Sequence, residues 1–494
     1  MNQPETKTPA ASVPTLRTHY LVLLTPLVLT HVVQSAGGML DGFWLGHLLG
    51  VRGIATAASF FPVFFLLLSL IIGMGAGATI LAGQAWGARD AAQVRRVAAT
   101  AFLAALGVGL AVALAGAWFA PWLMQALGTP PDILPDAIRY ARAMLLVMPA
   151  VFVAWAGLSL SRGTGDALSP MWALLAATLV GAVCTPLLVA GSFFGLPLGI
   201  RLGAPLGAHL GASGVAVSTL IAQLVVLGVL MWRWHRGGHP LALSAPGAGW
   251  QDWKPSAAIA QRMLRIGLPA ALQMLAMALA EIVLLGLVNR HGSDATAAYG
   301  AATQLLSWVQ FPAMSLGIAA AIFSAHAVGA GRRERLPAIV STGLRLNAVV
   351  TALFVVAAHV FAPFALRVFL EPGPVLQQAV AIVRTVAWGV VLLGWSNVLV
   401  SSMRASGVAL VPALLSMAAI VGFELPLAMA LEARFGLAGV FWAVPAAFLA
   451  MLVLHGFYYV HKGGHKSRHK EQENGLIKLS SVALGAASGR APGA

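Results

Sequence analysis

Leu81-Ala82-Gly83-Gln84-Ala85-Trp86-Gly87-Ala88-Arg89 and Ser324-Ala325-His326-Ala327-Val328-Gly329-Ala330-Gly331-Arg332 are two versions of one pattern, with Gly87 and Gly329 242 residues apart. The same step of 242 separates Arg162-Gly163-Thr164-Gly165 from Arg404-Ala405-Ser406-Gly407, with Pro170 and Pro412 following at matching places. A step of 240 separates Ala55-Thr56-Ala57-Ala58 from Ala295-Thr296-Ala297-Ala298. Landmarks that keep one spacing over so long a stretch mark an internal duplication, and the polar stretch near 233–258 becomes the join between its copies.

Outward from these landmarks the chain is apolar. Charged residues make up 9% of its 494 positions and hydrophobic ones 59%, against roughly a quarter charged in a soluble domain. A water-facing surface cannot be built from that composition, so most of the solvent is lipid. Runs long enough to span ~30 Å of hydrocarbon lie at about 20–48, 53–82, 93–120, 137–161, 168–193, 211–232, 263–289, 295–328, 336–362, 375–403, 409–431 and 436–460. The expected fold is therefore all-α and polytopic, with about twelve transmembrane helices in two pseudo-symmetric six-helix lobes. Its parts are an N-terminal tail 1–17, a first lobe 18–235, a linker 236–258, a second lobe 259–462 and a basic tail 463–494.

The formal charge of +15 is distributed by topology. Arg89, Arg95, Arg96, Arg162, Arg233, Arg236, Lys254, Arg262, Arg265, Arg332, Arg333, Arg335, Arg404 and the stretch Lys462 to Lys470 fall on one side, while Arg52, Arg201, Arg290 and Arg434 fall on the other. The positive-inside rule then places both termini in the cytoplasm, and nucleic acid is not an expected partner. Residues 1–17 lack the apolar core of a signal peptide and read as a retained tail. Cys184 is the sole cysteine, which excludes an intrachain disulfide and a multi-cysteine metal site.

Almost all acidic residues lie in loops or tails, and Asp41, Glu281 and Glu424 are the exceptions. A carboxylate at membrane depth costs about 2.5 kcal/mol or more and usually faces a cavity, where it can take up and release a proton. Asp41 lies beside a stripe formed by Gly38, Gly42, Gly46 and Gly50, which suits close helix packing or bending. Gln34 and Trp44 share nearly its face and offer amide and aromatic contacts to a flat or cationic ligand. Glu281 maps by the repeat to within one turn of Asp41's place in the other lobe, and Glu424, two residues before Pro426, is placed to meet backbone groups freed by the proline. Gly73-Met74-Gly75-Ala76-Gly77-Ala78 fits a dinucleotide fingerprint, but it lies inside an apolar span and reads as helix packing. His461, His465 and His469 read as part of a solvated basic tail. There is no Walker A loop and no HExxH pattern, and no convergent nucleophile and base, so no enzyme is expected.

From about residue 18 to 460 the chain resembles the multidrug and toxic compound extrusion (MATE) family of cation-coupled antiporters. The resemblance is carried by Pro26 with Gln34 to Asp41-Gly42-Phe43-Trp44, by Gly83-Gln84-Ala85-Trp86-Gly87-Ala88-Arg89-Asp90, and by Arg162-Gly163-Thr164-Gly165-Asp166 to Pro170. It implies two six-helix lobes in a V around a cavity that opens to each side in turn, with Asp41 the proton-linked residue. Where many members carry Asp-Pro in the fifth span this sequence has Thr185-Pro186, and where sodium-linked members carry a seventh-span glutamate it has Met277, with Glu281 one turn beyond. Those departures lean toward the DinF-type rather than the NorM-type branch and toward proton rather than sodium coupling.

The expected function is secondary active efflux of cationic or amphipathic drugs. Asp41 and Glu281 are candidates for cation coupling, and Gln34, Trp44, Thr185 and Glu424 for contact with substrate. No cofactor is called for beyond the coupling ion, H+ or Na+. The partners are a small-molecule substrate and the bilayer, the location a bacterial inner membrane, and the state a monomer. A flippase for lipid-linked intermediates is the main alternative, ahead of a passive channel or a scaffold.

Overall fold

The computed structural model describes residues 13–190, 211–242 and 249–461. The first residues of the N-terminal tail, Arg201, the centre of the linker, and the basic tail with His465 and His469 lie outside the described residues.

In the first half the helices are α1 (Val13–Gly87), α2 (Ala91–Ala126), α3 (Leu134–Gly163), α4 (Leu168–Ala190) and α5 (Ser213–Arg236). The second half contains α6 (Ala257–Asn289), α7 (Ser293–Gly329), α8 (Leu336–Ala365), α9 (Pro374–Val386), α10 (Gly389–Ala405), α11 (Leu410–Met417), α12 (Leu425–Phe435) and α13 (Leu437–His461). Ten helical spans are long and apolar enough to cross a membrane, with α11 and α12 counted as one through the segment that joins them, and α9 with α10 make one more span bent by 40°. A straight α1 would run to about 110 Å, far beyond a bilayer. It turns back at Gly50, whose φ of 62° is the left-handed conformation open to glycine. The return is tight: a Cβ on Gly53 would sit 3.0 Å from the carbonyl oxygen of Leu45. Counting α1 as two spans gives twelve, six in each half.

Proline and glycine set the irregular places. Pro426 has no N–H to offer the Gly422 carbonyl, and the residues before it, Ala418–Glu424, relax into a π-helical segment between α11 and α12. At the bend between α9 and α10, Gly389 lies against α13, where a Cβ would come within 2.7 Å of the Pro445 side chain.

Apolar clusters fill each half. One joins α2, α3, α5 and the returning half of α1 through residues such as Phe60, Met124, Leu145 and Met148; another joins α7, α9, α10 and α13 through residues such as Val309, Val383 and Val390. Leu103, Leu114, Trp118, Val349, Leu353 and Phe364 stand exposed on the outer faces, where lipid is the solvent.

The two lobes meet on the side carrying the basic loops. Gly73 and Gly77 of α1 lie against the backbone of α6 at Gly267 and Met263, so the glycine run of the false fingerprint serves helix packing. Tyr20, fully buried in α1, donates its hydroxyl to the Ile339 carbonyl of α8 at 3.1 Å. His326 of α7 bonds the Gly163 carbonyl at 2.8 Å, and the Gln84 amide donates to the Ala405 carbonyl at 2.9 Å. Toward the other ends of the same helices, Gly38, Gly42, Gly286 and Gly300 have nothing within 4 Å of a built Cβ. Gly38 and Gly42 therefore do not form the close-packed face that their spacing suggested. They leave open space beside Asp41.

Candidate functional site

Asp41 lies in the far third of the outgoing half of α1, half-buried, next to these open glycines. Its carboxylate meets α4 and, through Thr185, is linked to α5. Thr185, with no exposed surface, donates its hydroxyl to Asp41 Oδ1 at 3.3 Å and lies 2.8 Å from Ser218 Oγ. A hydroxyl has one proton, so if Thr185 donates to Asp41 then Ser218 donates to Thr185, and the three form a directed chain ending on the acid. Pro186 removes one helix bond immediately after Thr185 and loosens α4 at this point. Tyr140 of α3 is close enough for the charge of Asp41 to act on it. Ser218 was not legible as a site residue: a serine in an apolar helix usually bonds its own backbone.

Trp44 is 5% exposed and stands edge-on to Phe43, with centroids 5.2 Å apart, so it packs behind the acid instead of facing open space. Gln34, two turns before Asp41, is half-buried.

The second lobe gathers the other two acids. Glu281 sits in the far part of α6 with an exposed side chain, and Glu424, 6% exposed, ends the π-helical segment. They are near enough to interact electrostatically with each other and with Tyr299 of α7, whose ring stacks on Phe441 at 5.9 Å. The repeat relates Glu281 to the neighbourhood of Asp41, but the structure pairs it with Glu424 within its own lobe. Among the described residues, no three His, Cys, Asp or Glu side chains come together in a metal-binding group. One lobe thus presents a single acid on a hydroxyl chain, and the other a pair of acids beside a tyrosine.

The MatE family profile matches the chain twice, over residues 26–187 and 269–430, each copy opening on one of the paired prolines, Pro26 and Pro269. The probable multidrug resistance protein YoeA of Bacillus subtilis is 34% identical over 440 residues, covering 88% of this chain and 92% of the relative. The multidrug export protein MepA of Staphylococcus aureus is 24% identical, covering 87% of this chain and 91% of its own. A crystal structure of MATE in complex with MaD3S superposes with a TM-score of 0.80 at 21% identity, covering 93% of this chain and 99% of that one.

Proposed function

Because the chain belongs to the MatE family, whose MATE members are membrane transporters and not enzymes, we propose that it is an efflux antiporter. In this reading it expels cationic or amphipathic compounds in exchange for protons and opens to each side of the membrane in turn. The multidrug relatives support the substrate class. The observation that carries the coupling assignment is the chain from Ser218 through Thr185 to Asp41, beside glycines that leave the carboxylate accessible.

With the basic side taken as cytoplasmic, the closed contact through Gly73, Gly267, His326 and Gln84 supports reading this arrangement as outward-open. A proton arriving from outside neutralises Asp41 and releases a bound cation. Loss of that proton on the cytoplasmic side restores an anionic site for the next one. Coupling follows because proton and substrate favour different states and compete for one carboxylate. Thr185 steadies the charged form by donating to it. Gln34 contributes an amide at the cavity wall, while Trp44 acts by packing behind Asp41. Glu281 and Glu424 supply a second negative patch in the other lobe.

The test is efflux of a fluorescent cationic dye from proteoliposomes under an imposed pH gradient, with and without sodium, for wild type and Asp41→Asn. Efflux that ignores sodium and disappears in the variant supports the assignment. Persistence of transport in Asp41→Asn would make the residue structural, and a strict need for sodium would move the coupling site to Glu281 and Glu424.

A further inference from the structure

Arg162 and Arg404 occupy the same place in the two repeats, in the last turns of α3 and α10. Helical side chains lean toward the N-terminus of their helix. Both helices run from the far side to the basic side, so both arginines point away from the basic edge and into the membrane interior. The contacts agree with that direction. The Arg162 guanidinium donates to Ser159 Oγ at 3.3 Å, and its Cζ lies 5.9 Å from the centroid of the Trp155 ring, one and two turns deeper. Arg404 donates to the carboxamide oxygen of Gln273, midway along α6. By the register of Pro26 and Pro269, Gln273 corresponds to Thr30, and its neighbour His31 is the residue on which the charge of Arg162 acts.

Both cations are enclosed and neither is neutralised. Arg162 is 9% exposed, and the Nε of Arg404 is buried without a hydrogen-bond acceptor among the described residues. No carboxylate of the described residues lies within ion-pair distance of either. Arginine cannot relieve its burial by losing a proton, and a lone guanidinium at this depth is costly. The C-terminal dipoles of α3 and α10 offset part of the cost. Each guanidinium, however, has turned away from the terminal carbonyls that carry that partial charge.

The two arginines also converge. A Cβ on Gly83 would lie 3.1 Å from the Gly163 carbonyl, and neighbouring Gln84 bonds the Ala405 carbonyl. Gly163 and Ala405 are the residues that follow the two arginines. Trp155, beneath Arg162, lines a narrow space with Met263 of the other lobe. The chain just after each arginine therefore meets α1 at the junction between the lobes, one from each lobe.

We propose that Arg162 and Arg404 form an oxyanion site at the floor of the inter-lobe cavity, taking the carboxylate or phosphate of a zwitterionic or anionic amphiphile carried by this protein. The guanidinium fork matches either group in two parallel hydrogen bonds. Acids lie in the far half and arginines at the floor, so a substrate with a cationic head and an acidic group is held at both ends. The proposal rests on the efflux reading for the cavity itself, but binding tests it without transport.

The probes are a rhodamine bearing a free carboxylate and the methyl ester of the same dye. Their affinities for the purified full-length chain are measured by fluorescence polarisation in detergent, then in vesicles with and without phosphatidylglycerol. Wild type is expected to bind the carboxylate dye, and Arg162→Gln or Arg404→Gln to lower the ratio of carboxylate to ester affinity roughly tenfold or more. Arg162→Lys and Arg404→Lys, which keep the charge, recover part of that ratio. Far-ultraviolet circular dichroism and elution as one species identify the folded variants. An unchanged ratio in folded glutamine variants, or failure of wild type to bind the carboxylate dye, would overturn the proposal. So would an arginine effect confined to vesicles with phosphatidylglycerol, because the site would then hold a lipid headgroup. Absence of dye efflux with an intact affinity ratio would sink the antiport reading and leave the oxyanion site standing.

Discussion

Gly87 packs against the turn of α7 that carries His326, and Gly329 packs against the turn of α1 that carries Gln84, so the two copies of the repeated motif lie reciprocally on each other. A Cβ on either glycine would collide with backbone, which cannot move aside as a flexible side chain can. Overpacking of this kind costs about 1–3 kcal/mol, and here the cost falls on the closed arrangement of the basic side. Gly329→Ala is therefore expected to shift the molecule toward opening there. Spin labels at the exposed positions Ala91 and Arg333, in a Cys184→Ser background, should move apart in the variant, and an unchanged distance distribution would show that the contact does not hold this side closed.

Thr185 tests the hydroxyl chain apart from the acid. Thr185→Val keeps the shape of the side chain and removes the donor to Asp41. A hydrogen bond of this type contributes roughly 0.5–1.5 kcal/mol, so dye efflux should fall by about two- to tenfold. Thr185→Ser should retain most of the wild-type rate. Equal losses in the two variants would point to packing in α4, not to the hydroxyl.

The duplication made the twelve-span, two-lobe plan legible, because a repeated pattern at one spacing survives whatever lies between its copies. It could not show that the copies touch, since Gly87 and Gly329 look the same whether they face lipid or each other. Asp41 stood out because an acid in an apolar span is rare. Ser218 and the nearness of Glu281 to Glu424 did not, because hydroxyls are common in such helices and the second depends on how α6 is rotated against the π-helical segment. Trp44 was misleading for a similar reason: helical spacing places it near the face of Asp41, but only packing reveals that its ring is turned into the lobe.

The linker offers a test outside the membrane. Asp252 receives two hydrogen bonds from the Arg95 guanidinium, at 2.7 and 3.1 Å. That contact holds its carboxyl below the usual carboxylate range. A depressed carboxylate contributes stability that is present above its unfolded value, about 3.9, and is lost as pH falls through the lower folded value. The linker should therefore stay docked at any pH a cell meets and loosen only in strong acid. Asp252→Asn should loosen it at neutral pH, which limited proteolysis between α5 and α6 would report. Equal cleavage of wild type and variant at pH 7 would show that the ion pair does not secure the linker.

His239 should give the linker a second response, at milder pH. Its ring stacks between Trp86 and Trp234, with centroids 5.9 and 6.2 Å away. The Leu241 N–H donates to Nδ1 at 3.2 Å, so the proton of the neutral ring sits on Nε2 and is donated to Thr164 Oγ1 at 3.0 Å. Thr164 belongs to the loop whose Gly163 carbonyl is bonded by His326 of the opposite lobe. Burial pushes the His239 pKa below the ordinary histidine value of 6.5, with Asp166 opposing part of that shift. A base with a lowered folded pKa is protonated more readily in the unfolded chain, so this contribution to stability is complete above about 6.5 and declines as pH falls toward the folded value. Protonation would also set two N–H groups, at Nδ1 and Leu241, against each other. Hydrogen exchange in residues 161–166 should accelerate as pH is lowered below 6.5, after correction for the intrinsic exchange rate, and His239→Phe should remove that extra pH dependence while keeping the aromatic stack. If wild type and His239→Phe show the same corrected profile, the ring serves only as packing between the two tryptophans.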